Sequence, residues 1–572
     1  MKKALSILLV LVMLIASLTG CSSGKDETTN NKEDATVENE TSETEKEEVV
    51  PEETKETASG KVLYTNGGPV EFFSGTWLNP GISMDAKTIY DRLLMADENL
   101  GVAGTAMAES YEISEDGTLL EFVLKDNVLW HDGEKVTMND VKWSIEYAMK
   151  NVGISAIFQS TFSAIVGATA YKEGTADEIS GIVVDGNKLT ITFEKAAPDA
   201  LLAFTQFNIL PHKYFEGVDP LNAQQAEFFQ HPIGSGPFMV DEVKMNEYTT
   251  LKPFADYYGG VADFSIYMTP GLADSDPNFV TNVQTGLIDY GYTKSVADYN
   301  ALKDMEGIEI TPVNIRYTRK FYLNQYARQD GSTSPLADVR VRQAIKYAID
   351  MESISANLFN GGAVPANSLT PDGPDKVEGL NNYEYNPEKA KQLLAEANWN
   401  PEEVLKVAYY YTDQMTVDLM ATIQAYLADV GIKMEFQLLE GDLGTLLWTP
   451  PADVVNGPRA VDWDMLYAAV AAMSLHEYYD RYMTGSSSNS YLPSDPALDA
   501  LIQKSLTADP LAQKEAFNEI QKYENDTLFT MALYYQPVFV VKSSKILGGF
   551  EKYGNPQFNY NWNIQNWDIQ AK

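Results

Sequence analysis

Between Met107 and Lys150 the hydrophobic pattern changes period along the chain. From Leu119 to Lys125, Leu120, Phe122 and Leu124 point one way and Glu121, Val123 and Lys125 the other, the two-residue repeat of a strand. Asp116-Gly117 separates this run from Tyr111–Ile113. The dipeptide predicts a hairpin, because glycine tolerates the positive φ of a tight turn. A second Asp-Gly turn follows at His131-Asp132-Gly133-Glu134. Thr137 then stands three residues ahead of Asp140, a capping-box spacing that satisfies amide donors at a helix start. Val141, Ile145, Ala148 and Met149 recur at helical spacing and form the expected buried face.

The same reading extends along the chain. Lys61–Asn66 reads as a strand, and Gly181–Phe193 as two short strands around Asp185-Gly186-Asn187. Gly234-Ser235-Gly236 lets the backbone bend sharply before a strand at Phe238-Met239-Val240. Asp338 is placed to cap a helix whose Val341, Ile345, Ala348 and Ile349 face the core. Asn386-Pro387 opens another helix, with proline in the first turn where no amide is needed. Leu405–Tyr411, Thr416–Val430 and Ile432–Leu438 make a β-α-β unit, so the architecture is α/β.

Composition narrows the function. Met1-Lys2-Lys3 and the apolar run Ala4–Leu18 read as a secretory signal peptide over residues 1–20. Between Lys25 and Glu56 there are 13 acidic residues against 4 lysines and almost no large apolar group. Residues 22–59 therefore cannot offset their ordering entropy and are expected to be a disordered acidic tether. The remaining stretch, about 510 residues, exceeds what one core covers and calls for two or more lobes. A net charge of −39 argues against nucleic acid and anionic membrane surfaces as partners. The single cysteine, Cys21, excludes internal disulfides and CxxC sites. His131, His212, His231 and His476 are scattered outside any HExxH context, and there is no GxSxG elbow or phosphate loop. Asp274–Asn278 lacks the glycine and distal glutamate of a calcium loop and reads as a helix start. No metal or cofactor is expected. A hydrolase stays open as the rival class, because a catalytic carboxylate pair is defined by distance and not by spacing.

Several runs resemble the family 5 extracellular solute-binding proteins, receptors of bacterial ABC importers for peptides, nickel and some sugars. They are Ala108-Glu109-Ser110-Tyr111, Trp130-His131-Asp132-Gly133-Glu134, Thr137–Val141, Ile233–Phe238, Tyr257-Tyr258-Gly259-Gly260 and Ala337–Asp350. Ile89–Leu94 resembles a helix of the family, and Asp276–Asp289 a helix-strand pair. Leu18-Thr19-Gly20-Cys21 is similar to a bacterial lipobox, which makes Cys21 a lipidation site. The resemblance implies an α/β, two-lobed clamshell of the periplasmic-binding-protein type with an additional subdomain. It implies lobe I from residues 60–96, 233–320 and 541–572, an extra lobe II from 97–232 and lobe III from 321–540. It also implies a monomeric, non-enzymatic receptor that serves an ABC permease and its ATPase subunits. Its place is the extracytoplasmic face of the cell membrane, held by the lipid; the long tether suits a Gram-positive-type surface better than a periplasm.

For the ligand site the resemblance implies three segments: Ile82-Ser83-Met84, then Phe158 and Phe162, then Trp463, Tyr467, Ala471 and Met473. In peptide-binding members an aspartate of the third segment holds the peptide ammonium by a charge-assisted bond. Here that position falls at Met473 or Ser474, with Glu477 and Asp480 as candidate substitutes. An oligopeptide is the leading ligand class. An oligosaccharide or other neutral solute is the alternative, because sugars stack on aromatic faces and the chain holds 33 tyrosines and 8 tryptophans.

Overall fold

A computed structural model describes residues 60–68, 72, 76–77, 84–151, 154–270, 276–486, 488–549 and 563–571. The signal peptide, Cys21, the acidic tether, Ile82 and Ser83 lie outside these residues.

The Asp116-Gly117 hairpin forms as its alternation requires. Strands Ala108–Ile113 and Leu119–Leu124 pair antiparallel, and Gly117 takes φ +68°. Leu120, Phe122 and Leu124 are buried, whereas Glu121 and Val123 are half-buried. Lys188–Thr192 and Ile182–Asp185 join through Gly186-Asn187 and complete a four-stranded sheet. Helix Met138–Lys150 carries the full capping box: Thr137 Oγ1 accepts from the Asp140 amide, and Asp140 Oδ2 accepts from the Thr137 amide at 2.8 Å. Its buried residues share one core with the inner face of the sheet.

That core runs on into a seven-stranded mixed sheet. Its spatial order is Ile308–Val313, Val538–Ser543, Tyr290–Thr293, Val62–Gly68, Ser265–Pro270, Tyr248–Pro253, Phe238–Lys244. The two sheets together form the larger lobe. His131 fixes their junction. Its Nε2 bonds the Gly236 carbonyl at 3.0 Å, and its Nδ1 accepts from the Gly234 amide at 3.1 Å. Burial lowers its pKa to about 4, so the ring is neutral and needs both bonds. The glycines are there for space. A Cβ on Gly234 would lie 1.8 Å from the Ile89 carbonyl oxygen.

The same close approach corrects one expectation. Ile89–Leu94 does not form a helix; the helix is Met84–Ile89, and Leu94–Ala96 is a short strand paired with Val102–Thr105. The Ile89 carbonyl accepts from the Gly236 amide at 2.8 Å instead of continuing the helix. Asp91 meanwhile binds the hydroxyls of Tyr257 and Tyr258 at 3.0 and 2.6 Å.

The second lobe is a six-stranded sheet ordered Val364–Pro365, Thr530–Tyr535, Tyr317–Leu323, Met465–Ala471, Val404–Tyr409, Lys433–Leu438. Helix Gln414–Asp429 connects the last two strands, which are parallel, as the β-α-β pattern predicts. Asp338 caps helix Val339–Ala348 by accepting from the Arg340 amide. Separate cores fill the two faces of this sheet. The chain passes between the lobes twice, through residues 314–316 and 536–537. The second connector touches the strand that follows the first, with the Gln536 amide donating to the Tyr317 carbonyl at 3.3 Å.

Candidate functional site

Beside the connectors the two lobes face each other across polar and aromatic groups. Ser474 Oγ, in the second lobe, donates to Asp199 Oδ2 of the larger lobe at 2.6 Å. The same oxygen accepts from the Glu477 amide and caps helix Leu475–Tyr479, so one hydroxyl serves both a local and an interlobe bond. Burial pushes the Asp199 carboxyl up, against the opposing pull of His476 and Ser474. Burial lowers the His476 imidazole, but the Asp480 bond and the Asp199 charge outweigh it and leave it raised. Glu477 is raised by burial, although its Oε2 accepts from the Met473 amide at 2.6 Å. This edge of the cleft is therefore acidic and sensitive to protons.

Arg316, in the first connector, bridges the lobes. It donates to the Met473 carbonyl, to Asp375 Oδ2 at 2.5 Å and to the Asn99 carbonyl at 3.4 Å. The Gly117 turn also meets the second lobe, since a Cβ there would stand 2.6 Å from that of Ala508.

The second group is aromatic. Strand Tyr317–Leu323 leaves the connector with Arg319 on the same side as Tyr317 and Phe321. The Arg319 guanidinium lies over Tyr411 at 4.2 Å, Tyr317 at 5.3 Å and Tyr467 at 5.9 Å. Tyr317 packs on the core of the larger lobe and has Lys294 Nζ over its ring at 4.9 Å. Arg319 therefore stands at the junction of the two lobes. Tyr410 and Tyr411, both half-buried, face each other with ring centres 4.5 Å apart. The small residues Ala469 and Ala471 lie on the adjacent strand, and Ala471 is exposed.

The residues singled out in the sequence are not brought together here. Phe158 and Phe162 are wholly buried, stacked 6.1 Å apart, with Phe162 also against Phe204 and Phe207. They are spaced as one helix face and fill the core of the larger lobe. Tyr467 is 1% exposed, and its hydroxyl shares a 2.6 Å bond with that of Tyr534. Trp463 is half-buried and precedes strand Met465–Ala471, at the opposite end from Ala471. At about 3.3 Å per residue the two ends are roughly 25 Å apart. Neighbouring Asp464 is internal, paired with Arg459 at 2.7 Å. Met473 is buried against the core of the larger lobe, and Met84 opens helix Met84–Ile89. Asp199, Arg319, Tyr411 and Gln536 stand in no motif of the sequence. Arg319 had a readable signal, a cation on the apolar face of Tyr-Thr-Arg-Lys-Phe-Tyr-Leu.

Comparison with known proteins gives a consistent picture. Residues 104–492 match the model of the bacterial extracellular solute-binding proteins, family 5 Middle. A putative ABC transporter peptide-binding protein of Brucella ovis is 27% identical over 354 residues, 61% of this chain and 62% of that protein. The chain thus matches somewhat under two thirds of that relative's length. The oligopeptide-binding protein AppA of Bacillus subtilis is 25% identical over 505 residues, 84% of this chain and 82% of AppA. Lactococcal OppA, solved with an endogenous peptide in the closed conformation, superposes with a TM-score of 0.67 at 20% identity, covering 87% of this chain and 98% of OppA.

Proposed function

Because the chain belongs to the bacterial extracellular solute-binding proteins of family 5, we propose that it captures an oligopeptide between its lobes and delivers it to an ABC permease. The observation that supports this reading is the pair of lobes between which the chain crosses, among the described residues, at 314–316 and 536–537, with polar groups meeting across the gap. A ligand that touches both faces favours the arrangement in which they meet, and so turns binding into a shape a permease can read.

The cleft has the two poles that a zwitterionic peptide needs. The family's ammonium-binding aspartate is replaced at Met473-Ser474, and Asp199 supplies a carboxylate to that place from the opposite lobe. Arg319 stands at the cationic pole. The proposed ligand set comprises these two residues, Tyr410, Tyr411, Ala471 and the segment Ile82–Met84. An oligosaccharide is the second reading, favoured by the paired Tyr410 and Tyr411 rings. Catalytic turnover is not part of either reading.

We further read the chain as a monomer anchored at the extracytoplasmic face through lipidated Cys21, with its permease and ATPase partners in the membrane. We read the second lobe as residues 317–535, shifted by a few residues from the 321–540 that the resemblance implies, and leave the other boundaries as given. No helix of the described residues is long and apolar enough to cross a membrane. The function is tested with a panel of oligopeptides and oligosaccharides in a thermal-shift assay, with free ligand recovered afterwards. At 100 times Kd a bound ligand stabilises by about 2.7 kcal/mol, enough to raise the melting temperature measurably. Chemically altered ligand in the recovered fraction would replace the receptor with a hydrolase. Cys21→Ala should release the protein from the cell envelope, and full retention in the membrane fraction would refute the anchor.

A further inference from the structure

We propose that a cavity within the larger lobe binds a small monovalent inorganic anion between Arg92 and Lys87, whatever the interlobe cleft takes. The cavity measures about 40 Å³, room for about three waters or one small ion. Among the described residues its wall comes wholly from the larger lobe and includes Lys87, Asp91, Arg92, Tyr257, Asn563 and Gln565. The Arg92 guanidinium donates to none of the described residues, although its Nε and Nη1 are buried. Lys87 is 4% exposed, and its ammonium donates to Gln206 Oε1, which leaves two of three protons for another acceptor. Asp91 lines the same space but spends its oxygens elsewhere. Its Oδ1 accepts from the Arg92 backbone amide at 2.8 Å, and its Oδ2 from the Tyr257 and Tyr258 hydroxyls. Other guanidiniums are matched: Arg459 Nη1 bonds Asp464 Oδ1 at 2.7 Å, and Arg328 pairs with Glu403 and Asp464.

The fold holds these cations in place. The Gly236 amide takes the Ile89 carbonyl and so ends the helix that carries Lys87. Three residues on, the Met107 amide bonds the Arg92 carbonyl at 3.0 Å and fixes the arginine backbone. Two cations then face one carboxylate. Lys125 adds to the surplus from behind the wall, its Nζ donating to the carbonyl of Ala106, another lining residue. Like charges in a space poor in water are strongly disfavoured unless something compensates them. Burial lowers the Lys87 ammonium well below its ordinary range, and the Arg92 charge lowers it further, so each cation works against the other. An anion between them accepts from the unused N–H groups through charge-assisted bonds and turns that repulsion into attraction. Asn563 and Gln565, both half-buried, bring side-chain amides that can donate to the same ion. The bound ion thereby ties the late segment of the chain to the helix that begins at Met84.

The test follows the melting temperature of the full chain without peptide, at constant ionic strength, as sodium gluconate is replaced by sodium chloride. Gluconate, a six-carbon polyol acid, is too large for the cavity. The wild type should show a saturable rise of about 2 °C or more, the shift expected once chloride reaches about ten times its Kd. General salt effects act on every variant alike, so the decisive comparison is with Arg92→Gln, in which the rise should vanish. Arg92→Lys should keep part of it, because a cation remains without the planar fork. No saturable rise in the wild type, or an undiminished one in Arg92→Gln, overturns the site. Location is read by anomalous scattering from wild-type crystals soaked in sodium bromide, which carries the test with the wild-type melting curves if Arg92→Gln fails to fold. Bromide between Arg92 and Lys87 together with the saturable rise sustains the assignment. Bromide there without the rise marks an adventitious ion only and overturns it, as does a cavity that holds water alone. None of these results touches the peptide reading, which the ligand panel decides separately.

Discussion

The bond between Ser474 and Asp199 should hold the lobes together, and its contribution can be isolated. Asp199 precedes helix Ala200–Gln206, but its side chain caps nothing there. Asp199→Ala therefore removes the interlobe contact without uncapping that helix, and in the absence of ligand its proposed role as the ammonium partner does not enter. Ser474→Ala also removes a helix cap, costing about 1 kcal/mol in either arrangement of the lobes. A double-mutant cycle cancels that cap term. A hydrogen bond to a charged group contributes about 1.5–3 kcal/mol. Losing it should lower the ratio of closed to open molecules by roughly 12- to 160-fold. Closure can be followed by energy transfer between dyes on Val183→Cys and Leu511→Cys, which are 57% and 75% exposed and belong to opposite lobes. Cys21 is the only native cysteine, so a Cys21→Ala background labels cleanly. The closed fraction is read without added peptide for the parent, both single variants and the double. Additivity of the two substitutions to within about 0.5 kcal/mol would show that the contact does not hold the lobes and would refute the reasoning.

Tyr467→Ala should destabilise the second lobe by about 3–5 kcal/mol in denaturant unfolding, the usual cost of deleting a buried aromatic; a near-wild-type midpoint would mean that Tyr467 faces the cleft after all. His131, with a folded pKa of about 4 against an ordinary 6.5, takes up its proton first in the unfolded chain. Its contribution is thus complete above about pH 6.5 and is lost as pH falls toward 4, on the order of 3 kcal/mol; His131→Gln should flatten that part of the stability profile. His476 has the opposite sign. Burial lowers its pKa, but the Asp480 bond within its own lobe and the Asp199 charge leave it raised, so it favours the folded chain below pH 6.5 and that advantage disappears as pH rises through the raised value. Stability measured from pH 5.5 to 8.5 should fall more in the parent than in His476→Gln.

What could be read from the residues alone was whatever they decide locally. The turns at Gly117 and Gly186, the Thr137–Asp140 capping box and the Asp338 cap all follow from neighbours a few positions apart, and all are present. Ile89–Leu94 failed because its hydrogen-bond partner, the Gly236 amide, arrives from about 150 residues later in the chain. The candidate site suffered most from such distant pairings. Asp199 and Ser474 are 275 residues apart and carry no shared motif. Phe158 and Phe162 were legible in another sense: an i, i+4 aromatic pair on a short helix is the pattern of a core face, which is where they lie.

The double crossing between lobes also fixes an order of assembly. Strand Val538–Ser543 lies between Tyr290–Thr293 and Ile308–Val313 in the seven-stranded sheet. Until that late segment has been synthesised, both neighbours have an unpaired edge and Ile308–Val313 has no partner at all. The second lobe starts and finishes at the connectors, so all its strands are available before the larger lobe can close its sheet. The first half of the polypeptide must wait, partly open-edged and prone to mispairing, for a strand made more than 220 residues after its neighbour. Maturation of the larger lobe is therefore gated by the synthesis of that strand, and a chain cut short at residue 535 would hold a finished insert within an unfinished host.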